Sequence, residues 1–177
     1  AQANDLLLAA LARALWTWGE VRSCAVTLEG HGRDALGDSV YAGGTVGWFT
    51  SLFPFQLELV GEGVREQLLH VKAALERVPR RGASYGLLRY VSRTEGLDYR
   101  APLSFNYLGR FEAGSTEGGW DFADEKMGPL FAPELPREHD LDVTAIVLAG
   151  QLNVSIMFHP RRHRRERIST LLMAYRK

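Results

Sequence analysis

Apolar residues recur at helical spacing near both ends of the chain and at strand spacing between them. Leu8, Leu11, Leu15 and Trp18 fall on one stripe, the repeat of an amphipathic helix, with Asn4 or Asp5 placed to cap it and Gly19 to stop it. A strand is predicted over about 22–28, then a polar, glycine-rich loop through Gly44. The stretch 45–54 is too aromatic for an idle linker and too punctuated by Gly and Pro for a long regular element, so it reads as a packed crossing segment. Alternation resumes from Pro54 to Val60, and Val64, Leu68, Val71, Leu75 and Val78 mark a helix that ends before Pro79. Another helix, Ser84 to about Ser92, carries Tyr85, Leu88 and Val91 on one side. Ser104 to Leu108 reads as a short strand and Gly114 to Pro136 as a long loop. Leu141, Val143, Ala145 and Val147 alternate, as do Leu152, Val154, Ile156 and Phe158. The Ala149-Gly150 turn between them gives a hairpin signature, and Ile168, Leu171, Leu172 and Tyr175 complete a terminal helix. The order α-β-β-α-α-β-β-β-α contains no internal repeat and predicts an α/β chain (α+β two-layer sandwich), a sheet covered by helices on one face.

Composition narrows the class of partner. At 177 residues, 46% apolar and 24% charged, the chain suits one domain or one lobe of a larger one. Its first residues already belong to an apolar helix, which reads as a segment continued from something upstream. Lys plus Arg and Asp plus Glu both number 21, so no global field steers it toward nucleic acid or a membrane surface. A single cysteine, Cys24, precludes an internal disulfide. Neither a leader nor an apolar run of spanning length is seen, so a cytoplasmic location is expected.

Candidate chemistry concentrates in Glu29-Gly30-His31-Gly32-Arg33, directly after the first strand. Glycines around a Glu, a His and an Arg let backbone and substrate approach three polar groups of different acidity. Pro79 to Gly86 could set Tyr85 and backbone N–H groups toward a ligand, with a helix linker as the plainer reading. Phe105-Asn106-Tyr107-Leu108-Gly109-Arg110 offers an amide and a phenol whose side chains alternation sends to opposite faces. Trp48 and Phe49 read as core or pocket wall. His159 and His163 are interrupted by Pro160 and lack a third ligand, so no metal is expected. Arg161 to Arg165 reads as an exposed or interdomain surface.

Taken together, Asn4 to Ala10, Glu29-Gly30-His31-Gly32-Arg33, Thr45-Val46-Gly47-Trp48-Phe49-Thr50, Pro79 to Gly86 and Phe105-Asn106-Tyr107-Leu108-Gly109 resemble, in order and spacing, the epimerization domains of nonribosomal peptide synthetases. The resemblance spans nearly the whole chain. It implies that residues 1–177 are the C-terminal lobe of a two-lobed domain with the chloramphenicol acetyltransferase-like fold, because the family's His-His-x-x-x-Asp-Gly motif, borne on the preceding lobe, is absent. It also implies the activity: L-to-D inversion at the α-carbon of an aminoacyl or peptidyl thioester. The thioester rides on the phosphopantetheine of a peptidyl carrier protein, with no cofactor bound directly by this chain. Glu29 is implied as one acid/base, with a His from the N-terminal lobe as the other. Asn106, Tyr107 and Arg33 are implied as supporting catalytic positions, and His31, Trp48 and Tyr85 as substrate-binding ones. Isolated, the chain is expected to be inactive. A non-catalytic lobe that docks or scaffolds a carrier protein is the alternative. Ser84 departs from the family's glycine before Tyr85-Gly86 and would be strained if that turn required a positive φ.

Overall fold

The computed structural model describes residues 2–33, 42–111, 128 and 135–177. Much of the polar loop expected after Arg33, and nearly all of the 114–136 loop, lies outside the described residues. In chain order the elements are α1 (Ala3–Gly19), β1 (Ser23–Gly30), β2 (Ser51–Glu58) and α2 (Val64–Glu76). A helical stretch follows, comprising a 3₁₀ turn (Pro79–Gly82), the single-turn α3 (Ala83–Gly86) and a π turn (Leu87–Val91). The chain continues through β3 (Leu103–Phe111), β4 (Leu141–Leu148), β5 (Gln151–Phe158) and α4 (Arg165–Arg176).

One mixed sheet runs β2-β1-β3-β4-β5. The outer pairs β1–β2 and β4–β5 are antiparallel; the inner pairs β1–β3 and β3–β4 are parallel. Period-two patterning decides which face is buried. Phe53, Phe55 and Leu57 of β2, Val26 and Leu28 of β1, Leu103 and Phe105 of β3, and Leu141, Val143 and Ala145 of β4 form one apolar surface. Across it pack Leu8, Leu11 and Leu15 of α1, Val71 of α2, and Ile168, Leu171 and Tyr175 of α4. Helix α1 lies between α2 and α4, and the Tyr175 hydroxyl ties α4 to it by donating to the Leu7 carbonyl at 2.9 Å. Burial pushes the Tyr175 phenol pKa well up, so it stays a donor. The strand residues of opposite parity, Thr27 and Glu29, Ser104 and Asn106, Asp142 and Thr144, form the other face. That face is polar.

Several expectations need correction. Helix α1 starts at Ala3 with Gln2 as its cap; Asp5 lies in the first turn and accepts the Gln2 N–H at 2.8 Å, so neither Asn4 nor Asp5 is the cap. Strand β2 begins at Ser51, because an edge strand tolerates Pro54 opposite Thr27. The stripe Tyr85, Leu88, Val91 is not a buried one: Leu88 and Val91 are exposed, since the stretch tightens and then widens instead of continuing as a regular helix. Ser84 is not among the positive-φ residues; in that turn these are Arg80, Arg81 and Gly82, and a Cβ on Gly82, whose φ is 88°, would lie 1.8 Å from the Phe53 ring. The Ala149-Gly150 turn, with both φ values positive, is the primed hairpin turn that its alternating flanks predicted.

Position 67 breaks the apolar stripe of α2. Gln67 is fully buried, its amide donating to the Glu58 carbonyl and its oxygen accepting the Val60 N–H, both at 2.8 Å. It serves backbone groups left without ladder partners where β2 ends. The near-isosteric Gln67→Leu therefore strands two polar groups and is expected to lower stability by about 2–3 kcal/mol, a loss that urea denaturation of the purified variant measures directly.

Candidate active site

Glu29 stands near the end of β1 on the polar face, and Asn106 stands beside it on β3. The Asn106 amide donates to Glu29 Oε2 at 2.7 Å. Partial burial raises the Glu29 pKa above that of an ordinary carboxylate, the direction expected when a charge loses water without gaining a cation. Glu29 also lines a cleft of about 610 Å³, together with Gln2, Asn4 and Asp5 of α1, Lys72 and Glu76 of α2, and Arg80 and Arg81. A partly desolvated carboxylate, held by an amide at one oxygen, can take up and return a proton.

The other expected site residues separate. Arg33 does not reach Glu29: its guanidinium donates to the Ala42 and Thr45 carbonyls and lies 4.3 Å from the centre of the Phe49 ring. It clamps the 42–49 segment, a task five fixed donors suit. Tyr107 packs against the apolar core on the face opposite Asn106, as period two dictates, so it is removed from the Glu29 pair. The Tyr85 hydroxyl donates to the Leu97 carbonyl at 2.6 Å, which fastens the 87–97 connection instead of facing a ligand. Trp48 is 93% exposed, so it is not part of this chain's own core: residues 45–50 make no strand ladder, and Phe49, not Trp48, lies under Arg33. His31 accepts the Arg33 N–H at 3.3 Å and lines the cleft.

The glycines in this segment do more than open space. A Cβ on Gly32, whose φ is 68°, would fall 1.7 Å from the Phe49 carbonyl oxygen, and one on Gly30 would crowd Ser51 and the Arg81 carbonyl. The close approach that they permit is made by the chain's own atoms, the Phe49 and Arg81 carbonyls and the Ser51 hydroxyl.

Sequence reasoning missed a polar cluster one residue pair along the same face. Asp142 accepts the Ser104 hydroxyl at 2.6 Å and the Arg137 guanidinium. His139 sits 3.1 Å from Asp142 through Nδ1 and 3.0 Å from the Thr27 hydroxyl through Nε2. The available signal was Asp142 and Thr144 alternating with Leu141, Val143 and Ala145. It marks a polar face, and nothing local in it connects His139 to Thr27. Among the described residues no three His, Cys, Asp or Glu side chains are grouped to hold a metal, and no helix is long and apolar enough to cross a membrane.

The condensation-domain family model matches residues 1–177. Tyrocidine synthase 2 of Brevibacillus parabrevis is 34% identical over 180 residues, covering 98% of this chain and 5% of that protein. The chain belongs to the condensation-domain family. Bacitracin synthase 3 of Bacillus licheniformis is 31% identical over 176 residues, covering 98% of the chain and 3% of that protein. Among solved structures, the epimerization domain from the third module of tyrocidine synthetase B superposes with a TM-score of 0.88 at 34% identity, covering 99% of this chain and 40% of that one. The first condensation domain of the calcium-dependent antibiotic synthetase, at 16% identity and TM-score 0.62, shares the fold over 99% of this chain and 37% of its own. The chain thus spans a small fraction of the curated relatives and about two fifths of the solved domain. These relatives are peptide synthetases, and the mixed sheet with helices seen here is the condensation-domain fold.

Proposed function

We propose that this chain is the C-terminal lobe of an epimerization domain in a nonribosomal peptide synthetase. It would invert the α-carbon of an aminoacyl or peptidyl thioester carried on the phosphopantetheine of a peptidyl carrier protein. The observation that carries the reading is the Glu29 carboxylate on the polar sheet face, held at one oxygen by Asn106, with its pKa raised. A thioester acidifies its α-proton. Glu29 Oε1 accepts that proton, the C–H electron pair moves into the thioester carbonyl as an enolate, and an acid on the opposite side of the α-carbon delivers a proton there. The second group comes from the other lobe, and both groups reset by exchange with solvent. Asn106 keeps the carboxylate aimed while the proton moves. A tyrocidine synthetase epimerization domain sharing 34% identity supports this choice within the family.

Loss of α-deuterium or α-tritium label from a carrier-bound aminoacyl thioester, measured with the two-lobed domain, tests the reading; complete retention of the label rejects it. The pH dependence follows from Glu29. Only the ionised carboxylate is a base, and its pKa is displaced upward by desolvation. The exchange rate therefore rises with pH along a limb that lies above the ordinary carboxylate range, about 4.3 for Glu. A limb at or below that range would contradict the partial burial.

A further inference from the structure

We propose that His139 is a positioning residue for the Glu29–Asn106 pair, acting as a clasp across three strands. The inference deepens the epimerase reading and rests on it for the catalytic consequence, while the clasp itself stands on geometry alone. The parallel β1–β3 ladder consists of three residue pairs, Val26–Leu103, Thr27–Ser104 and Leu28–Phe105. The next residues on the two strands are Glu29 and Asn106, so the site sits where the ladder has just ended. Parallel pairing is the weaker kind per residue, and the end of a short ladder is where a sheet opens first. By contrast β3–β4 pairs continuously from Leu103–Leu141 to Tyr107–Ala145.

His139 is placed to oppose that opening. Thr27, Ser104 and Asp142 are direct neighbours across β1, β3 and β4, and all three point to the polar face. The imidazole, 12% exposed, spans them from Thr27 Oγ1 to Asp142 Oδ1. Ser104 fastens the middle strand to the same carboxylate oxygen, and Arg137 holds the other. An acceptor-only carboxylate requires Nδ1 to carry a proton toward Asp142. The Nε2 contact to Thr27 is then the link that joins β1 to the firmly paired β3–β4 unit. Thr27 and Glu29 share a strand face two residues apart, as do Ser104 and Asn106. The clasp thus fixes the spacing of the two strands one step before the two side chains that must meet.

The test uses the complete two-lobed domain and two variants, His139→Ala and the near-isosteric Thr27→Val, which cuts the β1 link alone. Amide hydrogen exchange followed by mass spectrometry is expected to accelerate about tenfold in residues 26–29 and 103–106 and to stay unchanged in β5 and α1. The kcat for α-deuterium exchange of an aminoacyl phosphopantetheine thioester is expected to fall about tenfold with KM within about twofold, because misplacement of the base costs turnover more than binding. In an Asn106→Ala background, adding His139→Ala is expected to lower kcat less than about twofold further, the non-additivity of groups acting through one pair. Unchanged amide exchange in both variants overturns the clasp, whether or not the domain epimerises its substrate. Faster amide exchange with kcat unchanged, or a full multiplicative loss in the Asn106→Ala background, overturns the positioning role. A wild-type domain that exchanges no α-proton removes the proposed function and leaves the amide-exchange arm to decide the clasp.

Discussion

Replacing Glu29 with Gln in the two-lobed domain is expected to reduce α-proton exchange by roughly 10²- to 10⁴-fold, the usual contribution of a positioned general base. The substitution is nearly isosteric. The new side-chain carbonyl still accepts the Asn106 amide that now meets Oε2 at 2.7 Å, so the face keeps its shape and KM stays close to wild type. A fall in kcat with KM preserved is the signature of an interaction used in proton transfer and not in holding the thioester. The readout is deuterium incorporation at the α-carbon of a carrier-bound thioester in heavy water. Undiminished incorporation would leave the docking or scaffolding reading for this lobe.

Phe105→Ala is expected to cost about 3–5 kcal/mol, the range for emptying an aromatic site in a packed core. Phe105 is 1% exposed and is among the largest fully buried side chains, on a central strand paired on both sides. Parallel neighbours on either side leave little room for the strand to relax into the void, which places the loss toward the upper part of the range. Against a typical total stability of about 5–15 kcal/mol, this is a large share; a melting temperature lower by roughly 10 °C follows for a chain of this size. Differential scanning calorimetry of the variant measures it, and a shift below about 3 °C would mean that the core collapses around the missing ring. Activity should fall with the folded fraction and recover under conditions that restore it, which separates this loss from that of Glu29→Gln.

The polar site was legible to the extent that its residues are local in sequence. Glu29 stands out among glycines, and period two alone sends Asn106 and Tyr107 to opposite faces, the outcome seen. Arg33, Tyr85 and Trp48 were not legible. Each sits in a motif-like segment, but what its side chain meets is set by a loop carbonyl, by the carbonyl of Leu97 or by solvent, none of which leaves a trace in local spacing. The glycines of 30–32 show the same limit, because the absence of a side chain signals close approach without naming the approaching group. His139 was invisible for a related reason: its two partners, Thr27 and Asp142, lie on different strands, and the Thr27 contact spans 112 positions.

Outside the 79–91 stretch, patterning by itself determined the element types, their order and the buried face of the long helices and inner strands, because side-chain direction repeats every 3.6 residues in a helix and every two in a strand whatever the rest of the chain does. It also determined the hairpin turn at Ala149-Gly150, since φ is constrained within the turn itself. Only the tertiary structure decided the strand order β2-β1-β3-β4-β5 and the parallel inner pairs, and through them the meeting of Glu29 with Asn106 across 77 positions. Hydrogen bonds between distant strands are fixed by closing long connections over a shared core. That choice is made by the whole molecule at once and by no single segment of it.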